Sequence, residues 1–311
     1  MQISVGRTIE DAYSFGFRKF FAVLGVAWLP YLLLGILAVF LLGDFATRFL
    51  PSLRQMSADH AFGPHGFDPR VLAPLRAISG YIWLFTIAAL LVTAMVEVGV
   101  MRKALGFSTG PTLVYLSFGS AFWRMVGAFV LLWLIWVGLI IGLAIAVGIG
   151  AALSLSFVPG NGRYLLIGVA GVIAFCVALY VIVRLIFFLP AVVVAEESIG
   201  IGRSWELGGG NFWRIFIVAI AIIIPIEFAF AILFNIVQPF IPWPEFPQTH
   251  DPREIAQFML QHMTPALPLL VVIALVQRVL TMGVWNGAVA SAYRAQVPAS
   301  SVVTPTSEIA A

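Results

Sequence analysis

The sequence predicts an all-α integral membrane protein: six transmembrane helices forming three helical-hairpin repeats, each led by a cytoplasmic interfacial helix. Three observations carry this. Of 311 residues, 61% are hydrophobic and only 10% charged, with a mean hydropathy of +1.04, whereas soluble domains carry about 25% charged residues. Six apolar windows, at about 20–42, 78–101, 126–149, 164–194, 215–237 and 267–289, reach the ~20 residues that cross bilayer hydrocarbon. Finally, an aromatic pair recurs where a crossing begins: Phe20-Phe21, Phe122-Trp123 and Phe212-Trp213.

Setting those pairs against one another divides a single membrane domain, 1–294, into units of about 3–101, 102–195 and 196–294, followed by a disordered cytoplasmic tail, 295–311. The first unit opens with SVGRTIEDAYSFGFRKFF, in which Ser4 can cap a helix and Val5, Ile9, Ala12, Tyr13 and Phe17 fall at helical spacing. This predicts a short amphipathic helix in the interface. The first crossing is too long for a signal-peptide core and lacks a small-residue cleavage site, so it is expected to remain, with a kink at Pro30. The segment 43–76 contains Pro51, Pro64, Pro69 and Pro74 and is expected to be irregular.

In the second unit, Thr109 and Pro111 mark a helix start, and VYLSFGSAFW reads as an amphipathic lead-in to the third crossing. That crossing carries Gly138, Gly142, Ala146 and Gly150 on one face, and the fourth offers Ala170, Ala174 and Ala178 at the same spacing. Small residues let two helix backbones approach, so these faces are expected to pack together across the turn at Pro159-Gly160-Asn161-Gly162, with self-association as the competing use. In the third unit Ser198 can cap a short helix that ends at Gly208–Gly210, and Asn211 can cap the next crossing. A second proline-rich external segment follows the fifth crossing, with a short helix expected over about 251–263.

Basic residues set the orientation. Arg7, Arg18, Lys19, Arg102, Lys103, Arg124, Arg203, Arg214 and Arg294 share one face, against Arg48, Arg54, Arg70, Arg76, Arg163 and Arg253 over longer loops on the other. The positive-inside rule then places both termini in the cytoplasm. A formal charge of +3 is too small to imply nucleic acid, and the lone Cys176 lies within a crossing and reads as a packing residue.

Charges within a bilayer are costly and are functional candidates by default. Arg184, Glu227 and Arg278 each fall about eleven to twelve residues from a cytoplasmic helix end, roughly 16–18 Å deep, if the helices run straight. Two readings compete. Glu227 can be bridged by Arg278 and Arg184, leaving positive charge for Gln277, Asn235, Asn286 or an anionic ligand. Alternatively, a closed ion pair fixes helix register while the other arginine snorkels to the surface. Glu97 is expected to pair with Arg102, Lys103 or a neighbouring interfacial helix.

Chemistry is otherwise sparse. His60, His65, His250 and His262 lie in the external loops without a distinctive ligand spacing, so no metal or other cofactor is called. Gly106-Phe107-Ser108-Thr109-Gly110 matches G-x-S-x-G, but a membrane helix precedes it and every histidine lies on the opposite predicted face. No P-loop, H-E-x-x-H or C-x-x-C is present. The chain is read as non-enzymatic.

The central run RLIFFLPAVVVAEESIGIGRSWELGGGNFWR, from Arg184 to Arg214, resembles a segment of the bacterial glycerophosphoryl diester phosphodiesterase membrane-domain family, and YciC-type inner-membrane proteins are similar. Its turn, cap and interface residues carry the resemblance: Leu189-Pro190-Ala191, Ile199-Gly200, Arg203-Ser204-Trp205 and Gly210-Asn211-Phe212-Trp213-Arg214. The resemblance implies a fold and a bacterial cytoplasmic membrane. It carries no activity, since only about seventeen residues follow Arg294 and no phosphodiesterase domain is among them. The expected function is to hold lipid head groups or scaffold a membrane-protein partner through Arg203, Trp205, Asn211, Trp213 and Arg214. The alternative is a carrier of an anionic, lipidic solute that uses Arg184, Glu227 and Arg278. Membrane lipids are the expected partners, and no oligomeric state is implied.

Overall fold

The computed structural model describes residues 2–58, 72–108, 114–157, 162–240 and 267–297. Among them all regular structure is helical: α1 (Val5–Arg18), α2 (Phe20–Ala58), α3 (Leu72–Leu105), α4 (Ser120–Phe157), α5 (Gly162–Ile186), α6 (Leu189–Ala195), α7 (Ile201–Leu207), α8 (Phe212–Val237), a 3-10 turn (Gln238–Phe240) and α9 (Leu267–Gln296). Six stretches are long and apolar enough to span a membrane: Phe20–Leu41, Ser79–Leu105, Ser120–Ala152, Tyr164–Ala195, Phe212–Val237 and Pro268–Gln296. Each overlaps one of the six windows read from the sequence.

Two expectations about connections are corrected. The described parts of segment 43–76 are helical, since α2 continues through Pro51 to Ala58 and α3 begins at Leu72, while 59–71 lie outside the described residues. The second unit has no leading helix over Val114–Gly119, where the described backbone is non-helical. Tyr115 there lies against Gly99 of α3, close enough that a side-chain carbon built on Gly99 would stand 2.8 Å from the tyrosine ring. A ring seated in a glycine notch anchors this segment without a helix. The histidines, the 251–263 segment, Thr109 to Pro111, most of the 159–162 turn and the tail beyond Val297 lie outside the described residues.

Burial is concentrated at the end of the bundle that carries α1, α6 and α7. Phe187, Phe188 and every residue of α6 are buried, packed on α3, α4 and α9. Pro190 in the first turn of α6 suits this helix start, because its missing N–H would be unpaired there anyway. α5 therefore ends at Ile186, and the chain turns before α6.

α1 packs lengthwise on α9 through small residues. A side-chain carbon built on Gly287 would stand 3.1 Å from the Ala12 backbone, and one on Gly283 would stand 3.3 Å from Gly16 Cα. Such close backbone approach supplies packing energy. The Tyr13 hydroxyl adds a hydrogen bond to the Ala221 carbonyl of α8 at 2.9 Å. Burial raises the Tyr13 phenol above its ordinary pKa, which keeps it a donor.

α4 and α5 are neighbours, but not through the glycine ridge. Gly138, Gly142 and Ala146 are exposed, and open space surrounds Gly138, Gly142 and Gly150. The half-buried stripe of α4 is instead Leu139, Leu143 and Val147, while Ala170, Ala174 and Ala178 are half-buried on α5.

Candidate functional site

The central segment forms a knot of polar ties at the closed end of the bundle. Arg184 occupies the last turn of α5, where a cation complements the helix dipole. Its guanidinium carbon lies 3.9 Å from the Trp205 ring centroid, Nη1 donates to Tyr180 Oη at 2.7 Å, and Nη2 donates to the Trp205 carbonyl at 2.7 Å. Buried Ser204 donates to the Leu185 carbonyl at 2.8 Å, satisfying one acceptor that the end of α5 leaves free. Gly208 packs against the Arg184 backbone, 3.2 Å from its carbonyl oxygen to a built side-chain carbon.

Charged pairs brace the same region. Glu196 accepts from Tyr293 Oη of α9 at 2.9 Å and from Arg203 Nε at 3.3 Å, and Arg203 also reaches Glu206 at 3.2 Å. Burial opposes the Arg203 charge, but these two carboxylates outweigh it and raise its pKa. Arg124 of α4 binds the Glu197 carbonyl and, at 3.4 Å, its carboxylate. Asn211 and Arg214 hold the N-terminus: Asn211 Oδ1 accepts the Ile3 amide at 3.3 Å, and Arg214 donates to the Ile3 carbonyl and to Gln2 Oε1, each at 2.7 Å.

Of the residues expected to face lipid or a partner, Arg203, Trp205, Asn211 and Arg214 are thus engaged within the protein. Trp213 is the exception, 69% exposed. Gln2, Ile3 and Tyr293 were not foreseen as members of this knot. Only proximity to a chain end and to Arg294 distinguishes them in sequence.

The expected midplane cluster does not assemble. Among the described residues no ion pair joins Glu227 to Arg184 or Arg278. Glu227 accepts from Gln277 Nε2 at 2.9 Å, between α8 and α9. Arg278 donates from Nε to Tyr31 Oη of α2 at 3.1 Å, and Tyr31 in turn reaches Met282 Sδ at 3.3 Å. Gln277 and Arg278 are consecutive, so they project ~100° apart around α9 and serve different neighbours. Arg184 is withdrawn because α5 ends two residues later and hands it to Trp205.

The other polar residues are also distributed. Asn235 donates to the Ala231 carbonyl one turn back at 2.8 Å. Asn286 is fully buried and donates to the Met282 carbonyl at 3.0 Å, while its Oδ1 has no partner among the described residues. Glu97 is buried beside Asn286 of α9, with the Arg278 charge acting on it.

Arg278 also ends a groove of about 720 Å³ between α2 and α9, walled by Trp28, Leu32, Ile36, Phe40, Val271 and Leu275. Small residues make the space: Gly35 has nothing within 4 Å of a built side-chain carbon, and Ala274 faces the groove from α9. Arg278 is itself exposed, and among the described residues its Nη1 and Nη2 have no partner. One end of this groove can pair with an anion, and the remainder can take a hydrocarbon chain. No protein-family model, curated protein or solved structure matches the chain.

Proposed function

We propose that this chain is a non-catalytic polytopic protein of a bacterial inner membrane, with both termini cytoplasmic, that holds an anionic lipid in the groove between α2 and α9. The observation that carries this reading is Arg278, exposed within a membrane-spanning stretch, which meets the hydroxyl and ring of Tyr31 and leaves Nη1 and Nη2 without a hydrogen-bond partner among the described residues. An arginine at the centre of a membrane helix costs about 2.5–3.5 kcal/mol or more. A phosphate oxygen at Nη1 and Nη2 offsets that cost, and the guanidinium fork suits it.

The groove supports the same occupant. From Trp28 to Phe40 the α2 wall covers thirteen residues, about 18 Å of helix, against a single-leaflet hydrocarbon depth of about 15 Å. Arg278 and Tyr31 stand at the end of the groove nearer the predicted cytoplasmic face, and the apolar wall runs away from them toward Phe40 and Val271. Arg184 and Glu227 have other partners, which favours holding a lipid over relaying a solute through three charges. The central segment's resemblance to bacterial inner-membrane proteins and the asymmetry of Lys and Arg support the location.

Native mass spectrometry of the protein released in mild detergent tests this. The wild type is expected to retain phosphatidylglycerol in preference to phosphatidylcholine. Arg278→Gln, which removes the charge, and Gly35→Leu, which fills the groove, should each lower retention about tenfold, ~1.4 kcal/mol. Equal retention by both folded variants would overturn the reading.

A further inference from the structure

A second pocket, of about 410 Å³, lies between the start of α1 and the end of α9. Most of its lining residues are polar: Ser4, Arg7, Thr8 and Asp11 from the N-terminal side and Ser291 and Arg294 from α9. The close crossing at Gly16, Gly283 and Gly287 brings these elements together. Arg278 is sixteen residues before Arg294, about 24 Å along α9, so this pocket is separate from the groove and does not depend on it.

Its charges are unbalanced in a specific way. Ser291 Oγ donates to Asp11 Oδ2 at 2.6 Å, which turns the one carboxylate of the pocket toward α9. Neither Arg7 nor Arg294 makes a hydrogen bond or ion pair among the described residues, although Arg7 is one turn from Asp11 and Arg294 about one turn from Ser291. Two guanidiniums therefore share a recess with one committed carboxylate. Ser4, at the N-cap of α1, makes no capping bond with its hydroxyl, so a further donor lines the same recess.

We infer that this pocket binds a phosphate group. Two arginines from different helices can each offer a planar pair of N–H donors, and a tetrahedral anion has enough oxygens to accept from both. The pocket volume lies within the ~300–1,000 Å³ of small-molecule sites, which admits a phosphate monoester or the head of a phospholipid. Both sources present the same chemistry to Arg7 and Arg294.

The test uses the full chain in phosphatidylcholine nanodiscs, on an Arg278→Gln background so that a lipid in the groove does not contribute. One arm titrates inorganic phosphate and glycerol 3-phosphate by calorimetry; the other adds phosphatidic acid and counts retained lipid by native mass spectrometry. Arg7→Gln and Arg294→Gln should each weaken binding at least tenfold, and Ser4→Asp should do the same. Aspartate is a good N-cap, so Ser4→Asp should leave the unfolding temperature unchanged or raised, and its effect on binding cannot be ascribed to lost folding. Binding of the soluble phosphates that is lost in the variants supports the site with a soluble source. Retention of phosphatidic acid alone, lost in the variants, supports it with a headgroup. No binding of either probe, or binding that survives all three substitutions, overturns it.

Discussion

The Arg184 guanidinium lies 3.9 Å from the ring centroid of Trp205 while donating through Nη2 to the carbonyl of the same residue at 2.7 Å. One tryptophan thus receives the cation twice, by its ring face and by its backbone. The pairing fastens α7 to the end of α5 and explains why an arginine within an apolar run carries no midplane role.

Substituting Trp205 by Ala keeps the carbonyl acceptor but removes the ring. Cation–π contacts range from ~0.5 kcal/mol when exposed to ~2 when desolvated, and Trp205 is half-buried. Trp205→Ala is expected to destabilise the protein by at least about 1 kcal/mol, and Trp205→Phe by less. Unfolding in mixed micelles of increasing SDS fraction measures the difference. Equal stability of Trp205→Ala and wild type would reduce the stacking to a surface coincidence.

The crossings were legible because their signal is additive over many residues: replacing one leucine in Phe212–Val237 would not hide the span. The positions of single side chains were not. The depth expected for Arg184 presumes a straight helix, whereas the chain turns at Phe187 and Phe188 and Pro190 lies in the first turn of α6. Gln277 and Arg278 were both named, but which flank of α9 each one serves depends on where α2 and α8 stand. The glycine ridge of α4 illustrates the same limit: i, i+4 spacing marks a face, while the neighbour that meets it is a property of the bundle. Ile3 had no signal at all, because its ties to Asn211 and Arg214 run through its backbone.

Gly287 and Gly138 should respond oppositely to the same change. At Gly287 a built side-chain carbon stands 2.9 Å from Phe15 Cβ and 3.1 Å from Ala12 backbone atoms, so valine must push α1 away from α9. Overpacking of this kind costs about 1–3 kcal/mol. Gly138 has open space around it, and Gly138→Val should leave the monomer's stability within about 0.5 kcal/mol. Equal losses for both variants in SDS unfolding would contradict the close α1–α9 crossing.

The N-terminus should be held by Arg214 more than by its own sequence. Ile3 is 1% exposed, its amide is bound by Asn211 and its carbonyl by Arg214. Arg214→Gln removes a charge-assisted hydrogen bond, worth about 1.5–3 kcal/mol, and leaves the buried Ile3 carbonyl without that donor. Because α1 packs on α9 downstream through Ala12 and Gly16, the loss should be local: the first turn should open while the bundle stays folded. Hydrogen exchange provides the readout, since local openings are reported at their own free energy rather than at that of global unfolding. Amides over residues 3–8 are expected to exchange at least tenfold faster in Arg214→Gln, ~1.4 kcal/mol, with those of α8 beyond Ile215 unchanged. Uniformly faster exchange across α8 and α9 would mean instead that Arg214 supports the whole closed end of the bundle, and unchanged exchange at Ile3 would mean that Asn211 and burial hold the terminus without it.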